Sequence, residues 1–162
     1  ARGVADGAAG PGHPSDPGLA AAAEACGAQA VGTLISLDRI LARAADKAAF
    51  AGVADAVDME TFSIFAAAGR LQVPAVAVRA ISDEAGEDLP LDFNRALAAD
   101  GQLRYARLAG QILGRPHRLG RLVRFGRRSA RAADALGDFL DRYVQRLAAA
   151  PAAVAAAETM AG

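Results

Sequence analysis

The chain has 162 residues, 53% of them apolar and 22% charged, with 18 Lys plus Arg balanced by 18 Asp plus Glu. That is enough apolar material for one globular domain, and the zero net charge excludes a global attraction to nucleic acid, leaving any electrostatic partner to local clusters. A single cysteine, Cys26, excludes an internal disulfide and fits a reducing cytoplasm, and neither His13 nor His117 has ligand-like spacing, so no metal site is expected. No apolar run approaches the roughly 20 residues that cross a bilayer, and the Gly- and Pro-rich start lacks the apolar segment of a secretory signal.

In chain order, residues 7–18 read as loop and the whole of 1–18 as a flexible segment. Residues 19–26 predict a short helix in which Cys26 is a small buried residue, and 29–37 predict a strand. A helix over 41–50, a short strand ending at 56–57 and a helix over 60–71 follow. Residues 74–81 are almost wholly apolar and β-compatible, the pattern of a strand buried on both faces. From Leu91 on the pattern is helical only, with short helices before and after Gly101 and a longer one over 119–147. Residues 148–162 form an Ala-rich tail interrupted by Pro151, with no expected packing. Alternating strands and helices, then helices alone, predict an α/β fold, a three-layer sandwich whose sheet is incomplete. The glycines never form G-x-G-x-x-G after a strand or a Walker loop, so a Rossmann or P-loop site is unsupported.

Two carboxylates stand out because they fall at the ends of neighbouring elements. Ser82-Asp83 lies at the carboxyl end of the 74–81 stretch, where open α/β sheets bind ligands, and Glu60 opens the preceding helix. Asp58, just before, reads as a helix cap rather than a catalyst. Arg79 is a permanent charge in an apolar run and needs an anionic partner, for which Glu60 or Asp83 is the expected candidate. Met59 alone reads as a core residue.

The order Val57-Asp58-Met59-Glu60, a helix's length, then Val73-Pro74 and Val78-Arg79-Ala80-Ile81-Ser82-Asp83 resembles the second half of the nucleoside phosphorylase and nucleosidase superfamily. It resembles in particular the branch of 5′-methylthioadenosine/S-adenosylhomocysteine nucleosidase. Residues 32–40, with Ser36 and Asp38, resemble the family's S-x-D loop bordering the base pocket, and Asp88-Leu89-Pro90-Leu91-Asp92-Phe93-Asn94 with the Arg-rich segment after it looks closer still to hopanoid-associated phosphorylases. The resemblance spans about 15–147 and implies a domain over 19–147. It implies that Glu60 hydrogen-bonds the ribose hydroxyls, that Met59 packs on the sugar, and that Asp83, oriented by Ser82, protonates N7 of a departing purine. The family's base-stacking Phe is replaced by Ile40. The implied partners are a nucleoside and, for phosphorolysis, phosphate; no cofactor is implied, and a full-length relative would be a homo-oligomer. The family's first, Gly-rich strands have no counterpart before Ser15, so the chain reads as a carboxy-terminal portion.

Arg115, Arg118, Arg121, Arg124, Arg127, Arg128 and Arg131 fall in a stretch with no acid, alongside an apolar stripe of Leu122, Phe125, Ala132, Leu136, Leu140, Tyr143 and Leu147. The plain reading is a surface helix with solvated arginines; the functional alternative is docking to an anionic membrane, which would suit an adenosyl-lipid substrate. Aromatic interleaving for nucleic-acid stacking is absent. The resulting expectation is cleavage of a purine N-glycosidic bond. The alternative is a non-catalytic α/β module that docks through its basic helix.

Overall fold

A computed structural model describes residues 3–6, 12–96, 98, 102, 104–113 and 119–160. Its centre is a four-stranded mixed sheet in the order β2-β1-β3-β4, formed by β1 (Gly3–Asp6), β2 (His13–Pro14), β3 (Thr33–Ser36) and β4 (Ala56–Asp58). β1 and β3 pair in parallel, as do β3 and β4, while β2 runs antiparallel to β1. The register sets Asp6 opposite Ser36 and Ser36 opposite Asp58, so three polar residues end three parallel strands at one edge. The mix of helices and parallel strands is an α/β fold. Strands β1 and β2 lie within the stretch expected to be flexible, and that stretch also holds the start of α1 (Pro17–Ala25). Four-residue strands without apolar alternation leave little sequence signal; pairing with β3 defines β1.

Helix α1 begins where Asp16 accepts from the Leu19 amide at 2.8 Å with Pro17 in the first turn, and it ends at Cys26, which is half-buried, before Gly27 at φ 97°. Gly32 lets Asp55 approach, since a Cβ there would meet Asp55 Oδ2 at 3.0 Å; that oxygen accepts from the Gly32 and Thr33 amides and starts β3. Helix α2 shrinks to Ala44–Ala48 from the expected 41–50, whereas α3 (Thr61–Arg70) follows expectation, with Glu60 at its N-cap.

Residues 74–81 form no assigned strand, a correction to the strand expected there. The two-sided burial is nonetheless present. Ala75 and Ala77 pack with Leu34 and Phe65 on the α3 side, while Val76 and Val78 pack with Ala23, Phe139 and Tyr143 on the side of α1 and α5 (Leu119–Met160). Period-two alternation places successive side chains on opposite faces whether or not a ladder is complete. Asp16 donates its amide to the Ala75 carbonyl at 2.7 Å, tying this segment to the start of α1.

Helix α4 is Tyr105–Leu113, whereas the helix expected before Gly101 is not formed among the described residues, where 94–96 form only a turn. Helix α5 continues past the expected end at 147 and through Pro151 to Met160, consistent with the high helix propensity of alanine. Its apolar stripe is shifted: Phe139 is buried and Leu140 exposed, with Phe139 packed against Ala23 of α1 and stacked on Tyr143. No helix among the described residues is long and apolar enough to cross a membrane.

Tyr143 anchors α5 to α1 through its hydroxyl, which donates to the Leu19 carbonyl at 3.0 Å. Burial pushes its phenol up, with the charges of Cys26 and Asp16 adding to the shift. Tyr143→Phe should cost about 1 kcal/mol and Phe139→Ala about 3 kcal/mol in urea unfolding. A raised phenol favours the fold below the free-tyrosine value of about 10 and loses that contribution as pH rises through the folded value, so the Phe variant should show a flatter alkaline limb.

Candidate active site

Ser36, Asp58 and Thr61 meet at the carboxyl edge of the sheet because β3 and β4 end in register there and α3 starts immediately beyond. The Ser36 hydroxyl donates to Asp58 Oδ1 at 2.6 Å and accepts from the Phe62 amide at 2.8 Å. The Thr61 amide also donates to Asp58 Oδ1, at 3.2 Å, which is the capping role read from the sequence, and the Thr61 hydroxyl donates to Oδ2. Arg79 Nε donates to the same Oδ2 at 2.9 Å, and its terminal nitrogen reaches both that oxygen and the Thr61 hydroxyl. Arg79 is therefore paired with Asp58, not with Glu60 or Asp83 as expected. Asp58 ends β4 beside the apolar run that carries Arg79, whereas Glu60 faces solvent and Asp83 is held elsewhere.

Burial alone would push the Asp58 carboxyl up, but hydrogen bonds from Ser36, Thr61 and Arg79 outweigh it and hold the group below the ordinary carboxylate range. The Asp58 side chain is 11% exposed and that of Arg79 40%, so solvent partly screens the ion pair.

Asp83 sits in a second cluster. Its Oδ1 accepts from the Ser82 hydroxyl at 2.8 Å, the orienting bond anticipated from the sequence. Its Oδ2 accepts from Lys47 Nζ at 2.6 Å. Lys47 also donates to the Glu84 carbonyl at 2.8 Å and the Glu87 carbonyl at 2.9 Å. Sequence reading missed Lys47; the available signal was that it is the one lysine among 18 basic residues.

The same two chain stretches are joined at further points. Asn94 accepts from the Ile40 amide at 2.9 Å and donates to its carbonyl at 2.7 Å; Asp88 caps α2 by accepting from the Ala44 amide at 2.8 Å; and the Leu89 amide donates to the Ala42 carbonyl at 2.8 Å. Acidic and amide residues of the 88–94 run thus fix the loop that presents Ile40.

Between these clusters lies an open cavity of about 540 Å³. Ile40, Met59, Arg79, Ser82 and Asp83 all line it, with Lys47, Phe50 and Leu89. Glu60 is outside the lining, one residue past Met59 and exposed. Ser36, too, is absent from the lining: it is buried beneath Asp58, so the S-x-D stretch meets the cavity through Arg39, Ile40 and Leu41 instead. The size and the mixture of apolar wall with a few polar groups suit a small organic ligand.

Of the basic run, Arg128 is not a solvated residue. Its Nη1 donates to the Glu87 carboxylate oxygens at 2.8 and 2.6 Å, and Arg121 donates to the Asp88 carbonyl at 3.2 Å, so both brace the 84–88 turn. Arg124, Arg127 and Arg131 are exposed, while Arg115 and Arg118 lie outside the described residues.

With this geometry in view, the model of the Phosphorylase superfamily matches residues 6–114, more than half of the chain. The chain belongs to this superfamily of nucleoside phosphorylases and nucleosidases. No curated protein and no solved structure matches it.

Asp58→Asn should destabilise the protein by about 2–3 kcal/mol at neutral pH, since it removes a charged acceptor shared by Ser36, Thr61 and Arg79. A depressed carboxyl contributes above its unfolded value of about 3.9 and loses that contribution as pH falls through the lower folded value. Urea midpoints of wild type and variant should therefore converge below about pH 4. A gap that persists at pH 2 would assign the loss to packing.

Proposed function

We propose that the cavity binds a purine nucleoside and that the protein cleaves its N-glycosidic bond from a three-layer α/β/α scaffold. The observation that carries this reading is the gathering of Ile40, Met59, Ser82 and Asp83 around one cavity in a member of this superfamily. Cleavage breaks the C1′–N9 bond; the electron pair goes to the base, Asp83 gives a proton to N7, and an oxygen of phosphate, or of water with loss of a proton to solvent, bonds to C1′. Positive charge grows on the sugar and negative charge on the base, so an anion near the ribose and an acid near N7 both act more strongly in the transition state. Asp83, at the cavity wall, is the acid. Glu60, next to the cavity-lining Met59 in sequence, takes the ribose 2′ and 3′ hydroxyls, and Ile40 replaces an aromatic platform with an aliphatic wall. Because Asp83 accepts from Lys47 in the structure, acid catalysis requires a proton to reach its carboxyl as the base binds.

Asp83→Asn should cripple purine nucleosides by two or more orders of magnitude, the scale of a lost general acid, and spare nitrophenyl riboside, whose leaving group needs no proton. Equal losses on both substrates would remove Asp83 from that role. Glu60→Gln should cost about 10²-fold in kcat/KM on ribosides. If a 2′,3′-dideoxy substrate were cut equally well by wild type and variant, Glu60 would not hold the diol.

A lipid-linked nucleoside is a second reading, favoured by the exposed Arg124, Arg127 and Arg131 on one helix. Each basic residue near an anionic bilayer contributes about 1 kcal/mol. Replacing these three by Gln should then abolish salt-sensitive binding to phosphatidylserine vesicles while leaving soluble-substrate turnover unchanged. Vesicle binding that survives the triple replacement would count against it.

A further inference from the structure

We propose that Lys47 is a positioning residue of this site, acting through Asp83; the proposal rests on the reading of Asp83 as the acid. The chain uses arginine almost exclusively for positive charge, and the one lysine is the cation placed against the candidate acid. Its side chain is only 9% exposed, against 26% for Asp83. A buried ammonium must have its donors satisfied, and a lysine has three. All three are used, on Asp83 Oδ2, the Glu84 carbonyl and the Glu87 carbonyl. These acceptors converge from three directions on one point. A compact tetrahedral ammonium meets such a set, whereas the planar fork of arginine does not.

The consequence for Asp83 is geometric. Ser82 holds one carboxyl oxygen and Lys47 the other, so the carboxyl plane is fixed from both sides. The remaining lone-pair directions are where the carboxyl can carry the proton that N7 of a base in the cavity accepts. Two other cations near the site are committed elsewhere, Arg79 to Asp58 and Thr61 and Arg128 to Glu87. Lys47 also closes the 83–87 turn on itself, and α2, which carries it, is capped by Asp88 from beyond that turn. Turn and helix therefore hold each other, and Asp83 is where they meet. An acid so placed tolerates little displacement, since a shift of about 1 Å in a reacting group can cost 10²-fold in rate.

The test is a double-mutant cycle in the intact protein, with Lys47→Met, Asp83→Asn and the pair, each on a purine nucleoside and on nitrophenyl riboside. Lys47→Met should lower kcat on the purine nucleoside by about 10- to 100-fold with KM little changed. It should leave nitrophenyl riboside within about threefold and add no further loss in the Asp83→Asn background. Lys47→Arg, which keeps the charge but not the tetrahedral donors, should show a smaller loss with the same selectivity, and it serves as the comparison should Lys47→Met not fold. A loss of equal factor on both substrates, or of equal factor in both backgrounds, would reduce Lys47 to a structural residue and overturn the proposal. If Asp83→Asn itself struck both substrates alike, the reading of Asp83 would fall and the Lys47 proposal with it; a selective Asp83→Asn beside an unselective Lys47→Met overturns the Lys47 proposal alone.

Discussion

The Asp58 carboxylate is the constraint on which the site's geometry rests. It terminates β4, fixes Ser36 at the end of β3, caps α3 through Thr61 and neutralises Arg79. Three stretches of chain distant in sequence, around residues 36, 58–61 and 79, are held to one group at the edge where the parallel strands end. A buried carboxylate is stable only when fully hydrogen-bonded, so losing any one partner loosens the others. Met59 and Glu60 follow Asp58 directly, and Arg79 precedes Asp83 by four residues, so the network sets the position of both candidate catalytic segments.

A second set of contacts completes the cavity from the opposite side. The 38–48 and 82–94 stretches are joined by Lys47, Asp88, Asn94 and a backbone bond from Leu89 to Ala42. Side-chain-to-backbone bonds dominate here. Such loops hold their shape without a ladder because each polar side chain satisfies a backbone group that would otherwise be left unpaired. Arg121 and Arg128 extend the bracing to the first turns of α5, which gives part of the basic helix a structural task within the fold.

Much of this was legible in the sequence. The ordered Met59-Glu60 and Ser82-Asp83 segments identified the family, the almost wholly apolar run 74–81 disclosed burial on two sides, and the cap at Asp58 followed from its place before a helix. Arg79's need for a partner was legible as well. Which carboxylate satisfies it was not, because Asp58, Glu60 and Asp83 are all close enough in sequence and only the register of β3 and β4 singles out Asp58. Lys47 left no local pattern: its partner is 36 residues away, and an isolated cation in an Ala-rich helix reads as surface. The β1 strand escaped because four residues carry too little periodicity, and the 74–81 segment was given a ladder because apolar burial and strand pairing usually coincide.

The central claim is that the cavity walled by Ile40, Met59 and Asp83 holds a nucleoside with its base toward Asp83. A crystal structure of the protein with a non-cleavable purine C-nucleoside bound tests it most directly. The account predicts the imidazole edge of the base within hydrogen-bonding reach of the Asp83 carboxyl, and the ribose against Met59 with its diol toward Glu60. A nucleoside bound elsewhere, or lying reversed with its ribose at Asp83, would contradict it.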